Sequence, residues 1–274
     1  MTKKTVYEII TDKFIESLEK GRIPWEKPWV GQKPMNYKSK TEYHGINVMI
    51  LSMQGYSSRY WMTFKQVTSL GGKVKKGSKG TPVCYWNFFK KEDQDGNEKT
   101  IPFLKYFTVF NKDQIEGIDF VEEEEGTLDF SPIETCESIV NHYQDKPEIK
   151  HGNVDIACYS SSSDTITLTN KENFKSEEEY YSTLFHEMIH STGHKSRLNR
   201  SLGNGFGSDL YSKEELIAEI GNAFLCSEAG ILKNTIDNST AYIQSWISKL
   251  KNDPKLIVSA SGKATKAVDY ILGK

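Results

Sequence analysis

LFHEMIHSTGHKSRLNR, residues 184–200, is the stretch on which the reading of this chain turns. It sets His186, Glu187 and His190 in the spacing H-E-x-x-H, with a further histidine, His194, just beyond. On a helix, residues four apart leave the same face about one turn apart, so His186 and His190 can ligate one ion. Glu187 stands beside the first of them, where a carboxylate can take a proton from water and hand it to a leaving amine. The neighbours Leu184, Phe185, Met188 and Ile189 are apolar, which predicts a buried helix. Imidazoles and a carboxylate buried there need partners, and a metal ion satisfies them together.

A catalytic metal needs a third protein ligand and an open position. His194 follows His190 too closely for the longer H-E-x-x-H-x-x-G-x-x-H pattern, and is expected to line the cleft or bind a neighbouring backbone group. The segment SKEELIAEIGNAFL (212–225) offers Glu215 and Glu219, four apart on one helical face. Glu215 is the favoured ligand, with Glu219 supporting a ligand from behind. Ser212 and Glu215 also read as a capping box; if Glu215 is spent there, Glu219 becomes the ligand. Tyr211, one turn before Glu215, is placed either to stabilise an oxyanion or simply to pack. Zinc is the default ion for such donors, and manganese or another divalent ion fits similar ones.

The rest of the chain frames this motif. Its 274 residues are 37% hydrophobic and 26% charged, the balance of a soluble globular protein. No apolar run reaches the roughly 18 residues that would span a bilayer. The beginning, MTKKTVYEIITDKF, is charged throughout and lacks a signal-peptide core. Cys84, Cys136, Cys158 and Cys226 are far apart and read as reduced cytoplasmic thiols. Charge is unevenly distributed: residues 1–120 hold 20 Lys/Arg against 13 Asp/Glu, whereas residues 121–274 hold 15 against 24. The first part also carries 19 of the 32 aromatics. A basic, aromatic-rich part joined to an acidic one implies two domains with different partners.

Hydrophobic periodicity and capping signals predict helices over 6–20, 43–53, 63–71, 133–144, 177–192, 212–229 and 239–250. Strands are expected at 82–89 and 101–110, joined by a polar tip, and at 154–160 and 164–170. VEEEEGTLDFSP reads as an acidic linker. The organisation is therefore α+β: a small mixed α/β domain over 1–121, a linker over 122–131, and a second domain over 132–274.

HEMIHSTGHKSRLNR and YSKEELIAEIGNAFLCSEAGI resemble the metallopeptidase domain of ArdC-type antirestriction proteins. YEIITDKFIESLEKGRIPWEKPW, YHGINVMIL, WMTFKQVTSLGGKVKKGSKGTPVCYW and VFNKDQIEG resemble that family's N-terminal domain, a module also similar to one in plasmid-encoded primases. The resemblance implies a domain that binds single-stranded DNA, a zincin-like domain of gluzincin type, carriage on a mobile element such as a conjugative plasmid, and protection of incoming DNA from host restriction. The E-x-x-A-E pattern from Glu215 to Glu219 is similar to the gluzincin glutamate helix, where the first acid binds zinc and the second orients a ligand histidine. DTITLTN (164–170) stands where zincins carry the edge strand that grips a peptide.

For the DNA face, basic grooves with aromatic platforms are what single strands bind. Lys73, Lys75, Lys76 and Lys79 sit on a glycine-punctuated loop, and Trp25, Trp29, Tyr43, Trp61 and Trp86 are candidate stacking partners. Trp25 and Trp29, among prolines, are expected to be the exposed pair, and Asn47 is a candidate polar contact. Two other readings remain open: a non-catalytic shield of single strands with a structural or vestigial metal site, and a primase-associated accessory module. The protein substrate of a peptidase is not named by the sequence.

Overall fold

The computed structural model describes residues 4–25, 33–92, 98–121, 132–152, 154, 156–202, 209–231 and 240–274. The acidic linker at 122–131 and Trp29 fall outside these residues. The elements run α1 (Val6–Glu19), β1 (Met35–Asn36), β2 (Thr41–Glu42), α2 (Ile46–Ser52), β3 (Tyr60–Thr63), α3 (Phe64–Ser69), β4 (Lys73–Val74), β5 (Thr81–Glu92), β6 (Glu98–Asn111) and β7 (Ile115–Glu116). They continue with α4 (Pro132–His142), β8 (Glu148–Gly152), β9 (Cys158–Ser160), β10 (Thr165–Thr169), α5 (Glu177–Ser191), α6 (Asp209–Ala229), α7 (Thr240–Asn252) and α8 (Leu256–Leu272).

Local chemistry sets several of these boundaries. Thr5 and Glu8 close a full capping box at the start of α1, and Thr63 and Gln66 do the same for α3. At α5, Ser176 accepts from the Glu179 amide, but Glu179 turns its carboxylate to the Lys175 amide instead of completing the box. The box expected at Ser212 does not form. Helix α6 begins three residues earlier, at Asp209, so Ser212 lies inside it and is buried. Glu215 is thereby released from the competing cap role. Helix α8 and strand β8 were not anticipated: Gly262, serines and lysines dilute the apolar pattern of the first, and KPEIKHG is too polar to read as the second.

The larger sheet has the order β2-β1-β3-β6-β5, with β1 parallel to β3 and the other pairs antiparallel. A second sheet has the order β8-β10-β9. Strand β10 is therefore central, parallel to β8 and antiparallel to β9, and the expectation that DTITLTN forms an edge is corrected. Its neighbours are β8 along Thr165–Thr169 and β9 at Thr165–Thr167, and β8 and β9 are the outer strands of the sheet.

One apolar core joins the two parts of the sequence. Ile10, Phe14 and Leu18 of α1, Met49 and Ile50 of α2 and Cys84 of β5 share a cluster with Phe185, Leu216, Trp246 and Ile257. Helix α1 packs on α7 and α8, and the Thr11 hydroxyl donates to the Pro254 carbonyl at 2.7 Å. Gly45, at φ 56°, caps α2 against α8; a Cβ there would lie 3.1 Å from Thr265 Oγ1. Among the described residues, no helix is long and apolar enough to cross a membrane.

Asn47 explains how α2 grips the sheet. Strand β5 is an edge, and Asn47 closes part of it: its Nδ2 donates to the Cys84 carbonyl and its Oδ1 accepts from the Cys84 amide, both at 2.7 Å. The side chain acts as a one-residue strand, a structural role in place of the DNA contact expected of it from the sequence. Asn47→Ala leaves both Cys84 groups unpaired and is expected to cost about 1–3 kcal/mol, read as a lower denaturant midpoint. An unchanged midpoint with weakened oligonucleotide binding would restore the contact role.

Candidate metal centre

The last turns of α5 and the first turns of α6 build the centre. The helices approach closely because position 221 is glycine; a Cβ there would come within 2.7 Å of Ile189 Cδ1. His186 and His190 present their Nε2 atoms 3.1 Å apart. Glu215 faces both, with Oε2 3.6 Å from His186 Nε2 and Oε1 3.5 Å from His190 Nε2. These three residues form a group whose ligand atoms all lie within 4.8 Å of one another. A tetrahedral ion about 2.0–2.1 Å from each donor needs donor separations of roughly 3.3–3.4 Å, so the triangle fits one small divalent ion. His186 and Glu187 are buried, at 7% and 8% exposure. His186 Nδ1 has no hydrogen-bond partner among the described residues, while its Nε2 is the atom that faces His190 and Glu215 and is the one offered to an ion.

Electrostatics follow from crowded carboxylates. Burial depresses the His190 pKa, but a hydrogen bond to Glu214 and the charges of Glu187, Glu215 and Glu214 outweigh it, and the net direction is up. Burial pushes the Glu215 carboxyl up, yet the two histidines and the Tyr211 hydroxyl hold it ionised below the usual range. Tyr211 is pushed to about 12 by burial and by Glu215 and Glu187, so it is a protonated donor at neutral pH.

The carboxylate beside a ligand histidine's outer nitrogen is that of Glu214, a residue the sequence reading passed over. Its Oε1 lies 3.5 Å from His190 Nδ1. Arg200 holds it in a fork, with Nη2 to Oε1 at 2.6 Å and Nε to Oε2 at 3.1 Å. The same guanidinium donates to the Ile189 carbonyl at 2.8 Å and the Thr192 hydroxyl at 2.7 Å, capping the end of α5. Glu219 is buried one turn further along α6, and its charge acts on Tyr242. His194 stands outside the cluster, where its Nδ1 accepts from the Ser196 amide at 3.3 Å.

A second clamp ties the small sheet to the segment after α5. Asp164, at φ 50° in the β9–β10 turn, takes Arg197 Nη1 and Nη2 at 2.9 and 2.7 Å and the Tyr159 hydroxyl at 2.7 Å. Arg197 also donates to the Ser191 and Asp145 carbonyls.

The DNA-contact candidates separate sharply. Trp25 is fully buried, edge-on to Trp246 at 5.8 Å, and Trp61 is 2% exposed in a cluster with Leu51, Val83 and Val109. Both are core residues, which corrects the expectation that Trp25 is an exposed platform: its apolar surface is worth more against α7 than in water. Tyr43 is half-buried against two apolar clusters. Trp86 lies on β5 opposite Leu104. Lys73, Lys75, Lys76 and Lys79 are exposed on β4 and the segment leading into β5, with Lys75 Nζ bound to the Asp113 carbonyl at 2.8 Å.

Residues 4–110 match the N-terminal domain of anti-restriction factor ArdC, and residues 134–263 match a zincin-like metallopeptidase. The crystal structure of the antirestriction protein ArdC from plasmid R388 in its metal-free form is 38% identical, covers 98% of this chain and 97% of that one, and superposes with a TM-score of 0.78. The chain belongs to the ArdC antirestriction family. The Mn(II)-bound structure of the R388 protein gives a TM-score of 0.79 at 37% identity, covering 98% of each chain. Two DNA primases TraC of Escherichia coli are 37% identical across 98% of this chain, which spans only 27% and 20% of their lengths. The protein y4eC of Sinorhizobium fredii is 29% identical over 98% of this chain and 92% of its own.

Two outcomes test the geometry. Glu214→Gln is expected to weaken metal affinity by roughly 10–100-fold, measured by competition with a chromogenic chelator; affinity equal to wild type would remove Glu214 from the centre. Burial raises the Asp164 pKa, but the hydrogen bonds from Arg197 and Tyr159 more than offset it, and the net value is depressed. A depressed carboxyl stabilises the fold above its unfolded pKa, and that contribution is lost as pH falls through the folded value. Asp164→Asn is therefore expected to be less stable than wild type at neutral pH, with the gap closing in acid, as read from unfolding at a series of pH values. A constant gap across the acid range would contradict this.

Proposed function

We propose that this ArdC-family chain is a cytoplasmic antirestriction protein of a mobile element that binds single-stranded DNA and cleaves a protein with its metal centre. The observation that carries the reading is the convergence of His186, His190 and Glu215 on one point, with Glu187 beside them on the same helix. His186, His190 and Glu215 would hold zinc or manganese, and a family member 37% identical and crystallised with Mn(II) supports a divalent ion. When bound, the ion supplies Lewis acidity to the reacting carbonyl and water.

The chain's own residues divide the remaining work. Glu187 is buried and its charge reaches both His190 and Tyr211. Its carboxylate accepts the proton of the attacking water and returns it to the leaving nitrogen. Tyr211 remains protonated through the physiological range, and its one O–H proton, held by Glu215 in the resting site, would turn to the negative charge developing on the carbonyl oxygen. An extended substrate would pair with an open edge of the small sheet, where β9 packs on α5. The basic N-terminal part would hold the protein on incoming DNA and concentrate the cleft on proteins bound there.

Glu187→Gln keeps the size of the side chain and removes the base. It is expected to retain metal and oligonucleotide binding while losing protection of unmodified DNA entering a restricting host, and any hydrolysis it supports should fall by about 10²–10⁴-fold. Protection equal to wild type would mean that the family's effect here comes from covering DNA, and the peptidase reading would be withdrawn.

A further inference from the structure

Strands β5 and β6 run much further than their sheet requires. Strand β3 pairs with β6 only from Trp61 to Thr63, opposite Asn111 to Val109. Beyond that level β5 and β6 continue alone, through the pairs Val83–Phe107, Tyr85–Lys105 and Asn87–Phe103 and on to Glu92–Glu98. A two-stranded ribbon is marginal without something to pack on. One face meets the core through Cys84, and Leu104 packs against the same cluster. Residues opposite in register share a face, so the other carries Tyr85, Phe103, Lys105 and Phe107 together.

At its base this second face is core, with Val83 and Val109 packed against Leu51 and Trp61, but from Phe107 outward it is built differently. Phe107 is 51% exposed and stacks flat on Tyr85, with centroids 4.7 Å apart and planes within 6°. Lys105 is exposed and its ammonium lies 4.9 Å from the centre of the Phe103 ring. Toward the base of β5, Lys76 and Lys79 are exposed and make no ion pair among the described residues. Exposed aromatic faces alternating with cations suit bases that stack and phosphates that pair, because every base offers a π-face and every linkage a charge. An apolar protein partner would leave these ammonium groups desolvated without a counter-charge.

We propose that this face of the β5–β6 ribbon is the stacking platform for single-stranded nucleic acid, with Phe107 and Tyr85 receiving bases and Lys105, Lys79 and Lys76 following the backbone. The proposal deepens the single-strand-binding reading above and rests on it. It also moves the contact from Trp25 and Trp61, which the core takes up, to the ribbon.

The test measures fluorescence anisotropy of a labelled oligo(dT) of about 20 nucleotides against full-length wild type, Tyr85→Ala/Phe107→Ala, Phe107→Trp and Lys105→Glu, with thermal unfolding and metal content checked for each. The double variant should bind at least tenfold more weakly, Phe107→Trp should retain binding, and Lys105→Glu should weaken binding and flatten its salt dependence. Tight binding by wild type with the folded double variant within twofold of it would overturn the platform while leaving single-strand binding intact. No binding by wild type would overturn the single-strand reading and the platform together. Unaltered oligonucleotide binding with reduced self-association on sedimentation would make the ribbon a protein-binding face, also against the proposal.

Discussion

Arg200 and Glu214 form the contact on which the centre depends. Both are almost fully buried, at 7% and 3% side-chain exposure, and the fork between them is completed by the carbonyl of Ile189 and the hydroxyl of Thr192. A buried pair of this kind contributes little net stability, but removal of one partner strands a charge and costs about 3–5 kcal/mol. Its value here is geometric. It fixes the end of α5 against the start of α6, and so fixes His190 relative to Glu215. The adjacent residues Glu214 and Glu215 address opposite sides of the same imidazole, one at Nδ1 and the other at Nε2.

The small centre is supported from further away. Gly221 permits the helices to close, Asp164 and Arg197 hold the small sheet against the segment after α5, and the shared core places α1 and α2 on the helices that carry the site. The part that would hold DNA and the part that would hold metal are thus one packed body across α1, α7 and α8.

Much of the centre was legible because its information is local. Spacing alone puts His186 and His190 on one face, while the second helix offers both Glu215 and Glu219, and only the resemblance to the gluzincin glutamate helix favours Glu215. What was missed depends on where a helix starts or on packing across the fold. Ser212 has the residues of a cap, but Asp209 begins the helix first. Glu214 looks like one more surface acid in KEEL until Arg200, fourteen residues earlier, arrives beside it. Trp25 looked exposed because its neighbours are prolines, yet α7 supplies Trp246 to cover it. Phe107 went unnoticed because VCYWNFF and IPFLKYFTVF read as ordinary sheet, and the pattern does not say which face beyond the core stays exposed.

The most direct test of the account is a crystal structure of the zinc-loaded or manganese-loaded protein with the ion located by anomalous scattering. One ion is expected, held by His186 Nε2, His190 Nε2 and the Glu215 carboxylate, with Glu214 on His190 Nδ1 and off the metal. An ion bound through Glu219, Glu214 or His194 in place of Glu215, or no ion between α5 and α6, would contradict it.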